Sequence, residues 1–159
     1  MEQTEFLALI DRHQGIIHKV CRLYRDTRED QEDLFQEIVY QLWRSLPSFV
    51  GTAKFTTWMY RIALNTAMAT HRKNKPQLVS GDSLPERADE DGDAERQHRE
   101  EKMFAALKQL DDPEKALIAL YLDDLSYREI AELTGLTENH VGVKLNRIKT
   151  KVKKILNIN

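Results

Sequence analysis

Cysteine, proline and glycine are all scarce in this chain of 159 residues, which holds one Cys, four Pro and six Gly. A single Cys21 excludes an internal disulfide, and its apolar helical surroundings mark it as a small packed side chain suited to a reducing compartment. So few chain breakers leave room for long helices, and neither a convincing alternating strand nor a glycine-rich phosphate loop is found. No apolar run approaches membrane-spanning length, and the opening MEQTEFLALI carries acid where a signal peptide needs basic residues, so a cytoplasmic protein is expected. His13, His18, His71, His98 and His140 are scattered without a metal-ligand spacing to Cys21, and no hydrolase nucleophile motif appears. No metal, cofactor or catalytic residue is therefore expected. A hydrophobic share of 41% supports modest helical cores rather than a deep enclosed active site.

A formal net charge of −2 looks wrong for a nucleic-acid binder until the charges are located along the chain. Asp26, Glu29, Asp30, Glu32, Asp33 and Glu37 face only Arg28 between positions 26 and 37. From Ile38 to Gly81 acid is absent, while Arg44, Lys54, Arg61, Arg72, Lys73 and Lys75 are all basic. Acid returns between Asp82 and Glu101, and from Lys144 to Lys154 six basic residues follow without an acidic one: Lys144, Arg147, Lys149, Lys151, Lys153 and Lys154. Such segregation suits docking to two kinds of partner, and the last run can neutralise phosphates and release counterions.

The 3.6-residue period predicts helices at about 3–24, 29–46, 53–73, 100–110, 113–123, 126–133 and 137–155. The class is all-α: an N-terminal helical domain over 1–75, a flexible acidic linker over 76–99 and a helix-turn-helix domain over 100–159. Pro76, Gly81, Pro85 and Gly92 interrupt the linker among a string of Asp and Glu. Asp112 before Pro113 is a good helix start, and Leu117, Ile118, Leu120, Tyr121 and Leu122 give that helix a wide apolar face.

Between Ser126 and Arg147 the chain reads SYREIAELTGLTENHVGVKLNR, the layout of a DNA-reading helix-turn-helix. Ser126 and Glu129 form a capping box, with Ile130, Ala131 and Leu133 as the buried stripe. Thr134, Gly135 and Leu136 make the turn: Gly135 suits the left-handed end of a helix, Leu136 plugs the angle, and Thr137 caps the next helix. There Val141, Leu145 and Ile148 face inward, leaving Asn139, His140, Gly142, Val143, Lys144, Asn146 and Arg147 outward or sideways, where polar groups near a helix start reach base edges.

In FTTWMYRIALNTAMATHRK, residues 55–73, Trp58, Ile62 and Asn65 recur at helical spacing beside Phe55, Tyr60, Arg61, Arg72 and Lys73. Rings and cations interleaved in this way either stack on unpaired bases or, for the rings, fill a core. Upstream, DLFQEIVYQLWRSL places Leu34, Phe35, Ile38, Leu42 and Leu46 inward, with Asp33, Gln36, Glu37 and Tyr40 along another face.

These segments carry a resemblance to the extracytoplasmic-function (ECF) group of bacterial RNA polymerase sigma factors, in the sigma-70 superfamily. DQEDLFQEIVYQLWRSLPSF resembles the polymerase-docking helix of the group, FTTWMYRIALNT its promoter-melting helix, and LSYREIAELTGLTENHVGVKLNRIK its upstream-promoter reader, in family order and over nearly the whole chain. The resemblance implies that Asp30, Asp33, Gln36 and Glu37 bind the β′ clamp helices of core RNA polymerase while Leu34 and Ile38 hold the core. It implies that the loop 48–54, with Lys54, and the helix bearing Trp58, Arg61, Asn65, Arg72 and Lys73 open the minus-ten element. It gives Thr137, Asn139, His140, Val143, Lys144, Asn146 and Arg147 the minus-thirty-five element, with the second domain on the β flap, and it adds an anti-sigma factor as a further partner. The chain departs from the pattern at Gly142 and Val143, which stand where a basic and a small polar residue are common. Gly142 leaves room for close backbone approach to DNA. The alternative function is a stand-alone helix-turn-helix regulator that uses the C-terminal module alone.

Overall fold

A computed structural model describes residues 2–49, 51, 54–73 and 94–158, without the side chains of 71–73. The expected linker up to residue 93, and the side chains of Arg72 and Lys73, lie outside the described residues. The chain divides into two compact units, Met1–Leu84 and Pro85–Asn159. Among the described residues every regular element is helical: α1 (Gln3–Tyr24), α2 (Arg28–Ser45), α3 (Phe55–Lys73), α4 (Ala94–Leu107), α5 (Asp112–Leu122), α6 (Tyr127–Thr134) and α7 (Glu138–Leu156), with a 3-10 turn at Leu46–Ser48.

In the first unit α1, α2 and α3 all pack on one another. Thr27 starts α2 by accepting the Asp30 amide on its hydroxyl at 3.1 Å, and Glu29 and Asp30 in the first turn complement the positive helix end. Ile17, Ile38, Leu42 and Met59 are sealed from solvent, and Ala63 and Ala67 let α3 approach closely. The docked helices are tied by Arg25, which ends α1 and donates to the Ala67 carbonyl at 3.2 Å and the Thr70 hydroxyl at 2.6 Å. Phe35 and Leu46, expected inward, are only half-buried: Phe35 lies at the margin of the α2 contact, where it stacks on His18 at 4.7 Å, and Leu46 falls in the 3-10 turn after α2.

In the second unit α4, α5 and α6 pack around α7. Its core holds Leu107, Leu117, Leu120, Ile130, Val141, Leu145 and Ile148. Helix α4 starts at Ala94, so 94–99, expected as linker, are helical; Arg96 pairs with Glu100 at 3.5 Å along the exposed surface. The cap of α5 is Asp111, one residue before the expected start, and Glu114 closes a capping box with it. Of the wide apolar face expected on α5, Leu122 is 52% exposed, because the helix ends there.

Cys21 is buried as expected, and desolvation pushes its thiol up to about 12 against the opposing charge of Arg25. The folded thiol should therefore resist iodoacetamide at about pH 8 and react on unfolding. Its raised value makes the first unit lose stability as pH climbs from the unfolded thiol range toward 12. Ile38→Ala should cost about 2–5 kcal/mol of that unit's stability in urea titration, with the second unit's transition unmoved.

Candidate functional site

Helix α2 presents Asp30, Asp33 and Gln36 to solvent, while Glu37 is half-buried and accepts from the Gln41 amide at 3.0 Å. All four stand on the α2 surface left free of the core. The same helix continues into an apolar surface of which the sequence pattern placed Tyr40 alone outward. Tyr40 and Trp43 are 54% and 42% exposed, and Trp43 meets the Phe6 ring edge-on at 5.0 Å. Together with Arg44, Leu46, Pro47 and Phe49 they line an open groove. The signal was present, since Tyr40 and Trp43 fall outside the spacing of Leu34, Ile38 and Leu42.

Lys54, just before α3, and Trp58, Arg61 and Asn65 on it fall along one stripe at intervals of four, three and four residues. Lys54, Arg61 and Asn65 are exposed, and Trp58 is half-buried. Trp58 belongs to an aromatic cluster, 5.1 Å from Phe49 and 5.5 Å from Phe55, with Phe55 5.8 Å from His13. The indole is thus partly engaged by tilted ring contacts within its own unit. Tyr60 is 2% exposed, so the interleaving read into this helix includes one ring that is a core side chain.

At the helix-turn-helix, Ser126 and Glu129 close their capping box with two bonds of 3.1 Å. Gly135 ends α6 at φ +78°, its amide bonding the Ala131 carbonyl at 2.9 Å. Thr137 caps α7 by accepting the His140 amide at 3.1 Å. Val141, Leu145 and Ile148 anchor α7, but Ala131 and Leu133 are only half-buried, so Ile130 is the sealed member of the α6 stripe. Asn139, His140, Val143, Asn146 and Arg147 are exposed and Lys144 is half-buried. These side chains cover a surface left open by the α6 contact, with no acidic neighbour on α7 after Glu138.

Two cations of the basic run turn back onto their own unit. Lys151 reaches Glu114 at 3.1 Å, and Lys149 stands 4.0 Å from the centre of the Tyr121 ring. A bond with the Tyr121 hydroxyl holds the Lys149 ammonium above its ordinary value. Gly142 has the Tyr127 ring against it, where an added Cβ would stand 3.2 Å from Cε2. Among the described residues no cluster of His, Cys, Asp and Glu could hold a metal ion, and no helix is long and apolar enough to cross a membrane.

Two family models match the chain, Sigma-70 region 2 over residues 9–77 and Sigma-70, region 4 over residues 100–152. The ECF RNA polymerase sigma factor SigW of Bacillus subtilis is 25% identical over 98% of this chain and 90% of its own length. The ECF RNA polymerase sigma-E factor of Escherichia coli is 34% identical over 83% of this chain, which spans 63% of that protein. Among solved structures, the sigma factor RpoE in complex with the anti-sigma factor NepR from Bartonella quintana superposes with a TM-score of 0.77 at 17% identity over 98% of both chains. CnrH in complex with the cytosolic domain of CnrY does so at 0.71 and 20%, over 98% of this chain and 90% of that one.

Replacing Gly135 by Ala should cost about 1–2 kcal/mol through left-handed strain, and Ser126→Ala about 1 kcal/mol through the lost cap. Thermal unfolding of the second unit measures both.

Proposed function

Since the chain belongs to the sigma-70 family of RNA polymerase sigma factors, in its ECF group, we propose that it binds core RNA polymerase and directs promoter-specific initiation of transcription. The observation that carries this reading is the order of the two family matches: the region 2 match covers the unit with the acidic α2 face and the acid-free α3 stripe, and the region 4 match covers the helix-turn-helix. A stand-alone regulator would use only the latter and leave residues 9–77 without a purpose.

Asp30, Asp33, Gln36 and Glu37 dock the β′ clamp helices, whose basic groups the carboxylates attract during encounter. Lys54, Trp58, Arg61 and Asn65, with Arg72 and Lys73, hold the opened minus-ten strand. Taking each base out of the stack costs on the order of a few kcal/mol, offset by ring contacts and by cations along the backbone. Thr137, Asn139, His140, Val143, Lys144, Asn146 and Arg147 meet the minus-thirty-five duplex. A Lys144 or Arg147 contact to guanine contributes about 1–3 kcal/mol of discrimination. The β flap carries the second unit. An anti-sigma factor, as in the NepR complex of one structural neighbour, would oppose these contacts. The chain does this work in the cytoplasm as a non-catalytic subunit, without a cofactor.

Run-off transcription with core polymerase on genomic fragments tests the reading. The intact chain should give discrete transcripts, and the Asp33→Arg, Glu37→Arg variant should lose more than about 90% of them, since each reversal turns an attraction into a repulsion. Transcripts that persist in full with the variant would reject the docking face, and failure of the intact chain to bind core would reject the function.

A further inference from the structure

Side chains from three helices meet on one flank of α7. The Lys149 ammonium stands 4.0 Å over the Tyr121 ring of α5, and the Tyr121 and Tyr127 rings are 6.4 Å apart at 47°. Tyr127 opens α6, and its opposite edge lies on α7: a Cβ at Gly142 would stand 3.2 Å from Cε2 and 3.6 Å from Cδ2 of the ring. Gly142 is not among the residues with positive φ, so its backbone does not require glycine. Glycine inside a helix also weakens it. The space taken by the ring is the physical reason on view for a side-chain-free position in the middle of the helix.

We propose that Tyr127 is a specificity-determining positioning residue: laid across Gly142 and backed by Tyr121, over whose ring Lys149 stands, it fixes the angle between α6 and α7 and so the register in which α7 meets base edges. Lys149 is then the pin of this clamp, not one of the cations that neutralise phosphate. The inference rests on the reading of α7 as the minus-thirty-five reader. Gly142 lies between Asn139 and Asn146, inside the reading surface, so a shift of the helix at this crossing moves every reading side chain together. The ring lies beside Tyr121, and a methyl group at Gly142 must push either the ring or the helix back by a few tenths of an ångström.

Holoenzyme assembled from the full chain and core polymerase tests this through binding to a matched promoter and to minus-thirty-five mismatches over a range of salt. Gly142→Ala keeps α7 helical, because Ala is the better helix former, yet should reduce discrimination about fivefold, as should Tyr127→Ala, with the double variant no worse than either because the two residues act as one contact. Lys149→Met should reduce discrimination while leaving the slope of log affinity against log salt unchanged, whereas Lys144→Met should lower that slope by about one. Unchanged discrimination in Gly142→Ala, or losses that multiply in the double variant, would overturn the proposal, as would a slope lowered by about one in Lys149→Met. Minus-thirty-five discrimination that survives Lys144→Met combined with Arg147→Met, with core binding intact, would instead remove the reading of α7 on which the proposal rests.

Discussion

Each unit is held by a core only one layer of side chains deep, and that constraint decides where its chemistry can lie. Ile17, Ile38, Leu42 and Met59 fill the seam among α1, α2 and α3, and Leu120, Ile130, Val141, Leu145 and Ile148 fill the seam around α7. Little apolar volume remains to enclose a substrate, so recognition is done by the outer faces of helices whose inner faces are committed to packing. The geometry of a helix does the rest: once Leu34, Ile38 and Leu42 point inward, Asp33 and Gln36 are obliged to point outward, and once Val141, Leu145 and Ile148 are seated, Asn139, Asn146 and Arg147 are left outside.

Charge is distributed over those faces in separate blocks. Glu29 and Asp30 at the acidic start of α2 stabilise the helix terminus, and Asp30 is also one of the residues proposed to dock polymerase. The stripe from Lys54 to Asn65, and α7 beyond Glu138, are free of acid, which is what a strongly anionic partner demands. Not every cation serves that partner. Lys151 is paired with Glu114 and Lys149 with the Tyr121 ring, so the effective basic surface is smaller than the count of Lys and Arg implies.

Much of this was legible in the sequence because it rests on local rules. The limits of α1, the Ser126–Glu129 box and the left-handed Gly135 follow from periodicity, capping chemistry and the freedom of a residue without Cβ. What was not legible depends on partners distant in the chain. The stretch 94–99 is charged enough to read as linker, yet forms the exposed start of α4, whose apolar end at Ala106 and Leu107 is buried. Tyr60 resembles its interfacial neighbours in composition, and only the packing of α3 shows it to be core. The grip of Arg25 on Thr70 spans 45 positions, and the fit of Tyr127 over Gly142 spans 15. No rule of spacing announces contacts of this kind.

In the proposed function one chain couples polymerase docking to strand opening, so opening needs both core polymerase and the chain. Permanganate oxidation of unpaired thymines on a promoter the chain selects tests it most directly. Reactive thymines at the minus-ten element should appear only when core polymerase and the intact chain are both present, and should vanish when Arg61 and Asn65 are replaced by Ala. Opening of the same element by the free chain, or by holoenzyme carrying the Arg61→Ala, Asn65→Ala variant at full strength, would contradict the account.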